Sequence, residues 1–278
     1  SFSFCISIYP YPDFNDPYYF GTDKINCHSY MTYTMLKQSS KHGSKTSFIP
    51  HALPENMFFR MEDDKILEFK RQILGKDRED NFVGIWVNRN AKRKRPNDLL
   101  ESWKIFLDNL ERKYGHKNAT LIMHTEPNDP EGPNLFVTAE RLGIKDSICF
   151  SRDRMEFEKM NVLYNISDFC INISYAEGFG LATLESMMTG TPIIAAKTGG
   201  LTRQVIDHRD GTENGVGLDI DLKTLVGSQN VPYIYEDYVK NENVAKGIEK
   251  LYNKVQNPSI KKELSDKVLN YAIAEFSH

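Results

Sequence analysis

Apolar and polar positions divide the chain into two unequal parts. In the first, Phe2, Phe4, Ile6 and Ile8 alternate with Ser3, Cys5 and Ser7, the period-two pattern of a half-buried strand. A loop rich in Tyr, Pro and Asp follows from Tyr9 to Gly21. A short apolar piece at Ile25–Cys27, a helix over Tyr30–Gln38 and a strand ending in Phe48-Ile49-Pro50 complete this part. It is too short for a full α/β domain, which needs several such units around one core.

From Glu62 the pattern turns regular. A helix over about Asp63–Leu74 leads to the apolar run Phe82–Val87. The next helix opens at Pro96, whose fixed φ and missing N–H suit a first helical turn. It carries Leu99, Leu100, Trp103, Phe106, Leu107 and Leu110 on one face. Strands are expected at Leu121–Met123, Ile148–Phe150, Phe169–Ile173 and Pro192–Ala196. Between them come helices at about Leu135–Leu142, around Phe157, Met160 and Tyr164, and at Leu181–Thr189. Short strands apolar on both faces, alternating with amphipathic helices, predict an α/β, Rossmann-like parallel sheet with helices on both faces. Gly199–Pro232 reads as loops with room for one further unit. Two helices close the chain, one marked by Val244, Ile248, Leu251 and Val255, the other by Ile260, Leu264, Val268 and Tyr271.

Composition narrows the function classes. The 278 residues are 40% hydrophobic and 26% charged, enough apolar material for one large core or two smaller ones. With 35 basic and 38 acidic residues the net charge is −3, so no nucleic-acid partner is expected. Cys5, Cys27, Cys149 and Cys170 show neither C-x-x-C nor zinc spacing and read as free thiols of a cytoplasmic protein. No apolar run approaches the roughly 20 residues of a membrane helix. The apolar start lacks the basic flank and long core of a signal peptide. The missing initial Met suits a processed, tagged or truncated chain.

Open parallel sheets bind ligands at the carboxyl ends of their strands, so the loops there carry the candidate chemistry. After Ile173 comes Tyr175-Ala176-Glu177-Gly178-Phe179-Gly180-Leu181-Ala182-Thr183-Leu184-Glu185. Its glycines allow close backbone approach, and the helix that follows presents its positive end, which suits a phosphate or a sugar edge. Leu181, Leu184 and Met188 are expected to mark the packed side of that helix, which puts Glu185 at or inside the apolar stripe. A carboxylate there needs a hydrogen-bonding partner, and a ribose diol would serve. A tight turn with a solvated Glu177 and an edge Glu185 fits the same residues. A dinucleotide loop fits less well, because the third glycine is missing and the loop follows the fourth strand of the regular part.

A second loop, Asn88-Arg89-Asn90-Ala91-Lys92-Arg93-Lys94-Arg95, gathers five cations between a strand end and a helix start. Such charge would stabilise a departing diphosphate, whose negative charge grows as its bond breaks. A solvated basic turn, an import signal or a nucleic-acid patch would look alike. A third loop, Thr125–Pro133, is long and acidic, and His124 before it reads equally as a ligand contact or a structural histidine. Paired carboxylates also serve glycoside hydrolysis, but a hydrolase has no use for the basic loop. No His, Asp or Glu cluster has metal-ligand spacing, so neither metal nor cofactor is expected.

Ser174–Leu201 resembles glycosyltransferase family 4, retaining enzymes of the GT-B fold. The resemblance is carried by Glu177-Gly178-Phe179-Gly180-Leu181, by Glu185 eight positions after Glu177 (the E-x7-E motif), by Gly190-Thr191-Pro192-Ile193-Ile194-Ala195 and by Gly199-Gly200-Leu201. Arg89 and Lys94, five apart, match the family's diphosphate-binding pair. Ile49-Pro50-His51-Ala52-Leu53-Pro54 and Phe58 resemble its linker, with His51-Ala52 where the family usually has Asn-Gly. The resemblance runs from about Thr22 to Phe276.

It implies a UDP- or GDP-linked sugar donor transferred with retention, without a metal, to an acceptor of unknown identity. Arg89, Lys94 and Glu177 would act on the diphosphate and sugar. Gly178, Phe179, Gly180 and Leu181 would contact sugar and phosphate through their amides. Glu185 would hold the ribose, and Ser151 and Arg152 would border the base. Residues 53–278 would form the donor-binding domain, the GT-B C-terminal domain. Residues 1–52 would be a truncated remnant of the acceptor domain and linker, the rest of which could also supply peripheral membrane contact. A donor-binding module that transfers nothing on its own is the alternative. Arg203 stands where the family often has an acid, which bears on the acceptor side.

Overall fold

A computed structural model describes residues 2–4 and 11–277 of the chain; the expected strand positions Ile6 and Ile8, and Cys5 with them, lie outside these. The first part contains β1 (Phe2–Phe4), α1 (Asp16–Phe20), β2 (Ile25–Cys27), α2 (Tyr30–Lys37) and β3 (Thr46–Phe48). Its strands form a small parallel sheet in the order β1-β2-β3. Tyr19, Ile25, Cys27 and Leu36 make a separate small core beneath it.

The regular part follows the predicted alternation: α3 (Asp63–Leu74), β4 (Phe82–Val87), α4 (Pro96–Tyr114), β5 (Ala119–His124), α5 (Leu135–Arg141), β6 (Ile148–Ser151), α6 (Phe157–Asn165), β7 (Phe169–Asn172), α7 (Leu181–Met188), β8 (Ile193–Ala196), α8 (Leu201–Val205) and β9 (Gly215–Leu218). These six strands form one parallel sheet in the order β6-β5-β4-β7-β8-β9. The chain builds outward from β4 through β5 to β6, then returns beside β4 as β7 and builds the other way. Loops leaving β4 and β7 therefore diverge, and that reversal opens a crevice at their carboxyl ends. Residues 82–86 of β4 and all of β7 and β8 are buried, which is why each reads as a continuous apolar run.

Helix α4 shows how local sequence sets an element. Pro96 opens it, Gly115 ends it at φ +76, and Leu99, Leu100, Trp103, Phe106, Leu107 and Leu110 are buried on one face. Each such side chain contributes about 1.5–3 kcal/mol on burial. That face packs on the sheet and on α9 (Asn241–Val255), and the final α10 (Pro258–Phe276) packs on α7 and α9. At the sheet's centre Gly84 lies under the Phe169 ring, which stacks on Phe82 at 5.0 Å; a Cβ on Gly84 would run into that ring.

The 199–232 stretch holds more structure than its sequence suggests. Besides α8 and β9 it supplies β10 (Leu222–Val226), which pairs antiparallel with β11 (Ile234–Tyr238). A two-stranded ribbon covers little apolar surface, so β10 stays exposed along most of its length and lacks the signal of a buried strand.

The hairpin is docked by the Asp237 amide, which donates to the Tyr175 carbonyl at 2.8 Å, and by Arg95. Arg95 has a fully buried side chain and is the one non-glycine residue among those described with positive φ, at +58. Its guanidinium donates to the Ile173 carbonyl (3.4 Å), the Val239 carbonyl (2.8 Å), Asn241 (3.4 Å) and Asp98 (3.0 Å). It also lies against the rings of Tyr175 (5.1 Å) and Tyr238 (4.2 Å). The sequence groups Arg95 with four solvent-seeking cations; the fold removes it from that group, because its fork satisfies carbonyls from two different loops.

Two outcomes test this packing. Gly84→Ala should destabilise the fold by about 1–3 kcal/mol through overpacking, read from the urea midpoint; an unchanged midpoint would show that Phe169 has room to move. Arg95→Ala should cost about 3 kcal/mol or more, since it strands buried carbonyls and Asp98. Hydrogen exchange should show residues 234–238 losing protection before the sheet, and wild-type protection there would mean that Arg95 does not hold the hairpin.

Candidate functional site

Two loops meet across the β4/β7 reversal. The backbone amide of Tyr175 donates to the Arg93 carbonyl at 3.0 Å, which fastens the β7 loop to the basic turn. Asn172, at the end of β7, holds Ser174 through its Oδ1 (3.0 Å from the amide and 2.6 Å from the hydroxyl) and donates to Glu177 Oε2 at 3.3 Å. Lys94 Nζ donates to that same carboxylate oxygen. Both side chains are nearly buried, at 9% and 13% exposure. Burial pushes the Lys94 ammonium below the usual lysine range, even against the pull of Glu177. A cation and an anion are thus held together at low exposure with little else to compensate them, a costly arrangement unless a ligand shares it.

The glycine loop itself is turned by a residue that sequence reasoning missed. Gln204, fully buried on α8, donates to the carbonyls of Phe179 (2.8 Å) and Gly180 (3.1 Å) and accepts from Thr183 (2.5 Å). With those carbonyls turned toward α8, the amides of Gly178, Phe179, Gly180 and Leu181 donate no hydrogen bond among the described residues. They precede or begin α7, where the helix dipole adds positive potential. Two glycines are obligatory here. Gly180 has φ +93, and a Cβ there would lie 2.6 Å from Leu201; one on Gly200 would lie 2.5–2.8 Å from the backbone of Gly178 and Phe179. Leu181 is 46% exposed, so the expected packed side of α7 is carried by Leu184, Met187 and Met188 instead.

The other expected residues distribute as follows. Glu185 is half-buried on α7 and accepts a 2.6 Å hydrogen bond from Tyr164; burial pushes its carboxyl up, and Tyr164 pulls part of the way back. Arg89 stays exposed and pairs with Asp129 (2.8 Å) and Glu131 (3.1 Å). The acidic third loop therefore folds over the basic turn, anchored by Asn90, which donates to the carbonyls of Pro127 (3.1 Å) and Pro133 (2.8 Å). Of the five cations, Arg89 is held by acids, Lys94 by Glu177 and Arg95 within the fold, while Lys92 and Arg93 lie exposed.

Ser151 and Arg152 sit at the end of β6, two strands from the crevice. Ser151 Oγ lies 2.8 Å from His124 Nδ1, and Arg152 reaches Glu126 at 3.5 Å across the face of Phe136. Burial pushes the His124 imidazole below the usual histidine range. Arg203 stands over Tyr30 (4.9 Å) and Phe48 (5.2 Å) and reaches Glu275 (3.5 Å), which joins α8 to the small sheet. His51 stacks on His28 at 3.9 Å and meets the edge of Phe179 at 5.0 Å, placing the linker against the glycine loop.

A cavity of about 180 Å³ lies at the opposite, amino end of β7, lined by Arg60, Lys70, Asp168 and Lys261 among others. Its cations are already engaged by Asp266, the Asn81 carbonyl and Asp168. Among the described residues no group of three His, Cys, Asp or Glu could hold a metal ion, and no helix is long and apolar enough to cross a membrane.

The family model described as glycosyl transferases group 1 matches residues 67–217. Among curated relatives, D-inositol 3-phosphate glycosyltransferase 2 of Catenulispora acidiphila is 38% identical over 112 residues, covering 40% of this chain and 26% of that protein. D-inositol 3-phosphate glycosyltransferase of Corynebacterium jeikeium is 30% identical over 164 residues, covering 58% of this chain and 37% of that protein. The chain thus matches only about a quarter to a third of these relatives' lengths. A glycosyltransferase from Rickettsia africae superposes with a TM-score of 0.72 at 16% identity, covering 99% of this chain and 65% of that one. Anabaena HepE, solved with UDP and glucose, gives 0.68 at 16% identity over 92% of this chain and 60% of that one. Likeness at that identity speaks for the fold alone. Since the family model spans more than half of the sequence, and the fold agrees with it, the chain belongs to the group 1 glycosyltransferases of GT-B type.

Proposed function

We propose that this chain binds a nucleoside-diphosphate sugar, UDP- or GDP-linked, and serves its transfer to an acceptor with retention of anomeric configuration and without a metal. One observation carries the reading: at the β4/β7 reversal Lys94 and Glu177 meet beside four amides that donate no hydrogen bond among the described residues. The donor diphosphate would take the amides of residues 178–181 and draw Lys94 away from Glu177. The released Glu177 would then accept hydrogen bonds from sugar hydroxyls. Binding would thereby exchange a costly buried ion pair for two pairings with the donor. As the glycosidic bond breaks, charge would grow on the departing phosphate, where Lys94 and the start of α7 would stabilise it. Arg89 would add a second cation on release from Asp129 and Glu131, Glu185 would hold the ribose, and Ser151 and Arg152 would border the base. Same-face attack on an oxocarbenium-like centre would account for retention.

Residues 53–278 would be the donor half, with residues 1–52 on the acceptor side and in the linker. The buried thiols Cys27 and Cys170 suit a cytoplasmic setting. A second reading, donor binding without transfer by this chain alone, is favoured by the share of its relatives that it spans.

Binding is read directly by thermal unfolding. At about 100-fold excess over Kd, UDP or GDP should add about 2.7 kcal/mol, and the melting temperature should rise by about 5–10 °C. Identical melting with either nucleotide and without would remove both readings, while a shift without transfer from any UDP- or GDP-sugar would select the second. Lys94→Gln should weaken UDP or GDP at least about tenfold, about 1.4 kcal/mol, and leave the bare nucleoside unaffected. Equal loss for nucleoside and diphosphate would take Lys94 out of the phosphate site.

A further inference from the structure

Tyr164 lies on none of the loops that line the crevice, yet it touches one of the proposed ligand-binding acids. It is fully buried on α6, with Phe58 edge-on to its ring at 5.8 Å and Thr191 Oγ1 donating to its carbonyl at 2.9 Å. Neighbours from two other stretches of the chain thus hold its ring and backbone. Its hydroxyl donates a 2.6 Å hydrogen bond to Glu185 Oε2. Glu185 makes no ion pair among the described residues; besides Tyr164, the titratable group beside it is the buried thiol of Cys170. The second oxygen, Oε1, accepts no hydrogen bond among the described residues, yet it is not sealed from solvent.

The choice of a phenol matters. A lysine or arginine in this place would neutralise Glu185 and weaken what its free oxygen can offer a hydroxyl. A phenol fixes the carboxylate plane, whose terminal torsion is otherwise broad, without cancelling its charge. We propose that Tyr164 is a positioning residue for ribose recognition: it holds one oxygen of Glu185 so that the other meets the donor's ribose hydroxyls, and it thereby sets the preference for ribose over deoxyribose. This rests on the reading in which Glu185 takes the ribose.

The test measures affinities of UDP and 2′,3′-dideoxy-UDP by calorimetry, with the guanosine pair run in parallel, for the wild type, Tyr164→Phe, Glu185→Ala and the double variant. Phenylalanine keeps the ring in its packing, and dideoxy affinity reports whether each variant still folds. The ribo-to-dideoxy ratio should fall about fivefold or more in Tyr164→Phe, as expected for losing a hydrogen bond to a charged group, with dideoxy affinity nearly unchanged. Adding Tyr164→Phe to Glu185→Ala should change the ratio no further, because the two residues act as one unit. A ratio unchanged in Tyr164→Phe but lowered in Glu185→Ala would overturn the role of Tyr164 and leave the ribose reading intact. A ratio unchanged in both would remove Glu185 from the ribose and take the inference with it. Equal loss for both ligands in Tyr164→Phe would reduce Tyr164 to a packing role and overturn the proposal.

Discussion

One buried guanidinium at the crevice joins three stretches that lie far apart in the chain: its own helix start, the end of β7 and residues 239–241. Arg95 binds the end of β7 at Ile173, the start of α9 at Asn241, the chain after β11 at Val239 and its own helix at Asp98. A buried cation is tolerable only with its donors satisfied, and a planar fork can satisfy several carbonyls at once where an ammonium would leave gaps. The cost includes a left-handed backbone at a residue with a Cβ, a conformation that survives where the surroundings over-determine it. In return the basic turn and the glycine loop are locked edge to edge, and Lys94 can meet Glu177.

A second constraint shapes the anion-facing surface. Backbone carbonyls and amides alternate, so a loop presents amides to a ligand only if its carbonyls are satisfied elsewhere. Gln204 does this for Phe179 and Gly180, with Thr183 fixing the amide group in place. The close approach of Gly200 to the loop backbone then allows α8 to sit near enough for Gln204 to reach. Positive potential at the start of α7 thus depends on a polar side chain that touches no candidate ligand.

Sequence periodicity located the elements well where burial is two-sided. The apolar runs of β4, β7 and β8 and the striped face of α4 follow directly from their surroundings. It failed where burial is slight, as in β10, and where one residue type serves opposite ends, as with Arg95 beside the exposed Lys92 and Arg93. Gln204 left no signal, since a lone polar residue in a loop-rich stretch reads as solvated. Tyr164 was visible as a core residue, but its hydroxyl partner, 21 positions away, was not.

By itself the sequence determined the α/β class, the strand-to-helix alternation and the glycine and acid spacing after β7, because these depend on neighbours along the chain. Only the tertiary structure decided which charges pair. Lys94 found Glu177, Arg89 found the acidic loop, and Arg95 left the basic cluster altogether. The reason is physical: a charge settles according to desolvation and the partners within reach, and both are set by residues far away in the chain.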